Sequence, residues 1–126
     1  MSDMPRKRWD GPRDLSERTK AFALRIIRLY VSLPKTPLAQ VIGHQLLKAG
    51  TSVGAHYREA SRGRSSAEFT AKMNGGLMEL DESSYWLELL AGAEIIALNR
   101  LAPLQQEASE LTAIFIACIN NAKRRP

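Results

Sequence analysis

Four apolar stripes constrain this chain more than anything else in it. Each repeats every three or four residues, and each is cut off from the next by proline, glycine or a short polar run. That spacing is one face of an α-helix, and four such faces in series predict four packed helices. The first stripe is Leu15, Phe22, Ile26, Leu29 and Leu33, widened by Ala23, Ile27 and Tyr30. Asp14 and Glu17 have capping-box spacing, which places the start near Asp14. Pro34 ends the helix, because the residue before a proline avoids the α conformation.

The second helix has Thr36 as its cap and Pro37 at its first position, where a missing N–H costs nothing. Its core face is Leu38, Ile42, Leu46, Ala49, Val53, Tyr57 and Ala60. SRGRS (61–65) is a polar turn, and Ser65 with Glu68 caps a third helix. That helix buries Phe69, Met73, Leu77, Leu80, Ser84, Leu87 and Ala91, and it ends within 91–99, where Gly92 and Asn99 are breakers. The fourth runs from about Asn99 to Lys123 on Leu101, Leu104, Ala108, Leu111, Phe115, Cys118 and Ala122. Pro103 belongs in its first turn. The chain closes on Lys123, Arg124, Arg125 and Pro126, cations suited to a helix C-terminus.

No sustained period-two alternation competes with this reading. Short connections make successive helices antiparallel. The expected fold is all-α: an antiparallel up-down four-helix bundle over 14–124, preceded by a basic arm over 1–13 that Pro5, Gly11 and Pro12 keep irregular. With 126 residues, one domain is expected.

Some apolar residues exceed what the stripes need. Trp86, Leu89 and Leu90 lie partly off the third stripe, and Ile114, Ile116 and Ile119 lie beyond the fourth. Trp86, Leu89 and Ile116 are candidates for a subunit interface. Gly43, Gly50 and Gly54 each cost about 1 kcal/mol relative to Ala inside a helix. Gly50 and Gly54 are one turn apart, so they suit close approach of another helix, either within the monomer or between subunits.

No apolar run approaches the ~20 residues of a membrane span. The N-terminus lacks the apolar segment of a secretory signal. A lone cysteine, Cys118, forms no internal disulfide and fits a reducing, cytoplasmic setting. Catalytic and metal patterns are missing. Val41 and Val53 stand three residues before His44 and His56, so the Glu-x-x-His motif of di-iron bundles is absent. No zinc set, phosphate loop or nucleophile elbow is present. Glu79, Asp81, Glu82 and Glu88 read as a solvated acidic face, Cys118 as a buried thiol and His56 as a structural histidine. No cofactor is expected, and no enzyme.

What remains is charge. Residues 1–72 carry 14 basic and 6 acidic residues, net +8. Residues 73–98 carry no basic and 5 acidic residues, net −5. Residues 99–126 carry 4 basic and 2 acidic residues, net +2. Arg18, Arg25 and Arg28 share an arc of the first helix. Lys48, Arg58 and Arg62 share one on the second, Arg64 continues it into the turn, and Lys72 follows. Several cations reaching phosphates together give sequence-tolerant, salt-sensitive binding. Only Trp9 and Tyr57 lie near the basic clusters, which argues against recognition by base stacking.

The stretch SVGAHYREASRGRSSAEFTAKMNGGLMELDESSYWLELL (52–90) resembles the four-helix-bundle family named for proteins encoded in 23S rRNA intervening sequences, and ELTAIFIACINNAKR (110–124) resembles its last helix. The shared elements are a Ser-Val-Gly-Ala helix end, an Arg/Lys-Ser turn before an acidic residue and Phe, and a Tyr-Trp-Leu-Glu-Leu-Leu run. His56 stands where relatives usually have Asn, Glu59 where they have a small residue, and Met73–Gly76 is unusual. The resemblance implies a bundle that assembles into a ring, commonly a homopentamer. Some relatives are accessory proteins of reverse transcriptases in diversity-generating retroelements, binding nucleic acid and enzyme through a basic ring surface. On that basis Arg58, Arg62 and Arg64 are the expected polyanion contacts, with Lys48, Lys72, Arg25 and Arg28 in support. A ring needs unlike faces in contact, and the basic first and second helices and the acidic third supply them.

Overall fold

The computed structural model describes residues 12–124, with side chains from Asp14 onward; the rest of the expected basic arm lies outside them, as do Arg125 and Pro126. Four helices follow in order: α1 (Pro12–Ser32), α2 (Pro37–Ser61), α3 (Ser66–Gly92) and α4 (Leu98–Lys123). Each packs on its neighbour in sequence, and α1 closes the ring of four against α4. No described residue lies in a strand.

The ends follow local chemistry. Thr36 accepts a hydrogen bond from the Ala39 amide with Pro37 just inside, as expected. Ser65 accepts from the Glu68 amide at 3.1 Å, while the Glu68 carboxylate turns back to the Arg64 amide at 2.8 Å. This reciprocal pair fixes where α3 begins. Two helix starts differ from expectation. Helix α1 starts at Pro12, so Asp14 sits in its first turn, where a carboxylate suits the helix dipole. Helix α4 starts at Leu98 with no side-chain cap, which moves Pro103 into the second turn. There it leaves the Asn99 carbonyl without its usual partner. Between them, α3 unwinds through bonds from the Ile95 and Ile96 amides to the Leu90 carbonyl, with Glu94 at positive φ.

The core runs the length of the bundle. Leu15, Phe22 and Ile26 of α1 meet Leu46, Val53 and Tyr57 of α2, Met73, Leu80 and Leu87 of α3, and Leu101, Leu111 and Phe115 of α4. The Tyr57 and Phe115 rings lie 6.3 Å apart, and burial pushes the Tyr57 hydroxyl pKa up to about 12. The stripes need five corrections. Leu90 and Ile119 are core residues, and Ser83 takes the buried place expected of Ser84. Leu38 faces outward, as does Ile27.

Candidate nucleic-acid interface

Helical geometry puts Lys48, Arg58 and Arg62 within roughly 80° of one another on the outer side of α2. All three are exposed, as is Arg64 in the following turn. None forms an ion pair with a described carboxylate. Lys20 of α1, not singled out from the sequence, joins them across a shallow groove of about 270 Å³ that it lines with Ser16, Thr51 and Arg58. Its signal was its place on the side of α1 that turns toward α2, which only the packing reveals.

Lys72 does not belong to this set. Its ammonium lies 2.9 Å from Glu59, and that hydrogen bond holds the Glu59 carboxyl below the usual range. Glu59, an anion on the same side of α2 as the basic residues, is therefore matched by a cation expected to extend them. Arg18 is likewise spoken for: it forks onto Glu107 and reaches Glu110 at 2.7 Å. These contacts, the Glu107 hydrogen bond foremost, hold its pKa above the ordinary arginine range. Arg25 is two turns beyond Arg18, so it lies on the α4-facing edge of α1, with Arg28 a turn further. The expected basic surface is thus two surfaces. One holds Lys20, Lys48, Arg58, Arg62 and Arg64; the other holds Arg25 and Arg28.

The residues assigned to a subunit interface also separate. Gly50 and Gly54 serve the crossing inside the monomer. A Cβ on Gly50 would stand 2.7 Å from Ile26 Cγ1, and one on Gly54 would stand 3.1 Å from Thr19 Oγ1. Trp86 and Leu89 are half-buried against the core rather than forming a second sticky face, and the Trp86 indole Nε1 is buried without a hydrogen-bond partner. Ile116 is exposed, on a shallow groove between α3 and α4. Two further apolar strips are exposed. One is Leu24, Ile27 and Val31 on α1, Val31 at 66% exposure; the other is Met78 and Tyr85 on α3, amid Asp81, Glu82 and Glu88.

No group of three or more His, Cys, Asp or Glu among the described residues is placed to hold a metal ion. His56 lies against Gly75, where a Cβ would come within 2.7 Å of the ring. Its Nε2 is 3.7 Å from Glu79, and its Nδ1 is buried without a partner. The missing side chain of Gly75 therefore makes room for the His56 ring between α2 and α3. Cys118 is partly exposed rather than sealed in the seam, and burial of its surroundings raises its thiol pKa.

No described helix is long and apolar enough to cross a membrane. A comparison with curated proteins finds no match. The fold is similar to the crystal structure of a protein of unknown function from the S23 ribosomal protein family of Bacteroides thetaiotaomicron. The TM-score is 0.81 at 34% identity, covering 86% of this chain and 97% of that one. The family model described as 23S rRNA-intervening sequence protein matches residues 14–117. A match over that much of the bundle, with a solved relative 34% identical over most of both chains, places the chain in the 23S rRNA-intervening sequence protein family.

Proposed function

We infer that the chain is a non-catalytic, homo-oligomeric bundle of the cytoplasm that binds RNA or DNA through the outer face of α2. The observation that carries this is the set Arg58, Arg62 and Arg64, exposed together at one end of the bundle without carboxylate partners among the described residues. Lys20 and Lys48 lengthen the surface. Such a set attracts phosphates without reading sequence, and its binding weakens as salt rises. The test is fluorescence anisotropy of a labelled oligonucleotide across a salt series. Affinity that is absent at low salt, or indifferent to salt, overturns the reading.

The oligomer is a ring, with a homopentamer favoured by the family resemblance. Its contacts are heterologous: the strip Leu24, Ile27 and Val31, set among Lys20 and Arg28, meets Met78 and Tyr85, set among Asp81, Glu82 and Glu88, on the next copy. Apolar contact would supply the affinity and opposite charge the register. Native mass spectrometry reads the subunit number, and a monomer at micromolar concentration removes the ring. A second reading, an accessory subunit for a reverse transcriptase, rests on the same exposed α1 strip serving a foreign partner. It predicts that Val31→Asp abolishes capture of that partner while leaving the subunit number unchanged.

A further inference from the structure

Helix α1 is the shortest of the four, with 21 residues against 26 in α4. At 1.5 Å per residue the difference is about 8 Å. Because Arg18 stands level with Glu107 and Glu110, the deficit falls at the end where α2 turns into α3. There the last turns of α4 run past the start of α1, and a groove of about 630 Å³ opens between α4 and the turn. Phe69, Ile114 and Cys118 form its apolar walls, and Arg64, Ser65 and Asn121 its polar rim. No lining residue among the described ones is acidic. Across Ser66 and Ala122 the groove adjoins a shallower one that ends at Lys123.

Together the two form a slot with apolar walls, hydrogen-bonding groups at the lip and a cation at each end, Arg64 and Lys123. It begins where the basic surface of α2 ends, at Arg64. We propose that it takes one unpaired nucleotide of a bound single strand, base inserted and phosphate on Arg64. The proposal rests on the nucleic-acid reading above. The base lies against Ile114 and Phe69, an aromatic that the fold, unlike the sequence reading, sets in one groove with Arg64; the Asn121 amide and Ser65 hydroxyl meet its edge. The following phosphate tracks toward Lys123. Charge selects this occupant: an anion with a planar apolar body complements the groove and its cations, whereas the chain's own N-terminal segment, with Arg6, Lys7 and Arg8, carries like charge. The volume is within the ~300–1,000 Å³ usual for small-ligand sites. Insertion of a base favours single strands over duplex of equal length, because a paired base cannot leave its stack without cost.

Cys118 is the only cysteine in the chain and lies on the groove wall, so its alkylation rate reports occupancy. The full-length protein is labelled with a maleimide, alone and with adenosine 5′-monophosphate, single-stranded oligoadenylate, a duplex of equal length or inorganic phosphate. Base insertion slows labelling severalfold with the mononucleotide and the single strand, and not with duplex or phosphate. Ala117→Trp, which fills the groove, abolishes the single-strand preference and keeps salt-dependent duplex binding. An oligonucleotide that binds without slowing Cys118 overturns the slot and leaves the wider reading intact. Protection by the mononucleotide with no oligonucleotide binding does the reverse. Labelling that is slow from the outset, and released by Trp9→Ala or by dilution, assigns the groove to the chain's own N-terminal segment or to a second copy and overturns the proposal.

Discussion

Arg18 and Glu107 close the bundle: the guanidinium Nε meets one carboxylate oxygen at 2.9 Å and Nη2 the other at 2.8 Å, across the least extensive of the four helix–helix contacts. The pair is partly shielded, with side-chain exposures of 30% and 17%. A bidentate pair of this kind contributes about 1 kcal/mol after allowance for solvent. Arg18→Ala lowers the melting temperature by about 4 °C, and the double variant with Glu107→Ala loses less than the sum of the two single losses. Strict additivity in that cycle removes the pair as a determinant of stability. Acid acts on the same corner. The Gln106 amide first, and Arg18 second, hold the Glu110 carboxyl below its usual range. A depressed carboxyl contributes stability above its unfolded pKa of about 4.3 and loses it as pH falls through the lower folded value. These contacts therefore add to the fall of the melting temperature below about pH 5, and Arg18→Ala makes that fall shallower.

The α1–α2 crossing is set by Gly50. Its missing Cβ leaves room for Ile26, whose Cγ1, Cγ2 and Cβ would stand 2.7, 3.0 and 3.2 Å from an alanine methyl. Ile26 is fully buried and branched at Cβ, so it cannot swing aside. Gly50→Ala gains helix propensity but overpacks the crossing, for a net loss of about 1–2 kcal/mol. Ile26→Val recovers part of it. Chemical denaturation of the single and double variants measures both.

The turn after α3 carries its glycine two residues too early. Gly92 ends the helix with nothing within 4 Å of where a Cβ would be. Glu94 takes the left-handed conformation with φ of 60°, a place that favours glycine. Glu94→Gly relieves about 1 kcal/mol of backbone strain, and Gly92→Ala adds about 0.5–1 kcal/mol through helix propensity. Both raise the unfolding midpoint, and a loss from either contradicts the geometry.

What the sequence disclosed was local. Thr36-Pro37, Ser65 with Glu68, and the repeat through Leu80 and Leu87 place helices by rules that act within a few residues, and those helices stand where expected. What it concealed depends on partners far along the chain. Arg18 looks like one more basic residue until Glu107, 89 residues away, is brought beside it. Lys72 and Glu59 look like a cation and an anion in one stripe until α2 and α3 pair them. Gly50 and Gly54 announce a close approach without saying whose, and Trp86 is indistinguishable in sequence from an exposed aromatic. The basic surface was legible as a composition, and its division into an α2 side and an α4 edge was not.

That division gives the sharpest test of the nucleic-acid reading. Each phosphate neutralised contributes about 0.7 to the slope of log affinity against log salt for a single strand. Arg58→Ala, Arg62→Ala and Arg64→Ala each lower the slope by about that amount, whatever the sequence of the strand. Lys72→Ala leaves it nearly unchanged, because the ammonium already lies 2.9 Å from Glu59. Glu59→Gln distinguishes a masked cation from an irrelevant one. It frees Lys72 beside Arg58 and removes the one anion in the stripe, so binding tightens and the slope rises by up to about 0.7. If Lys72→Ala costs a full phosphate while Glu59→Gln does nothing, Lys72 is touching the strand directly, and the pair with Glu59 gives way when nucleic acid binds.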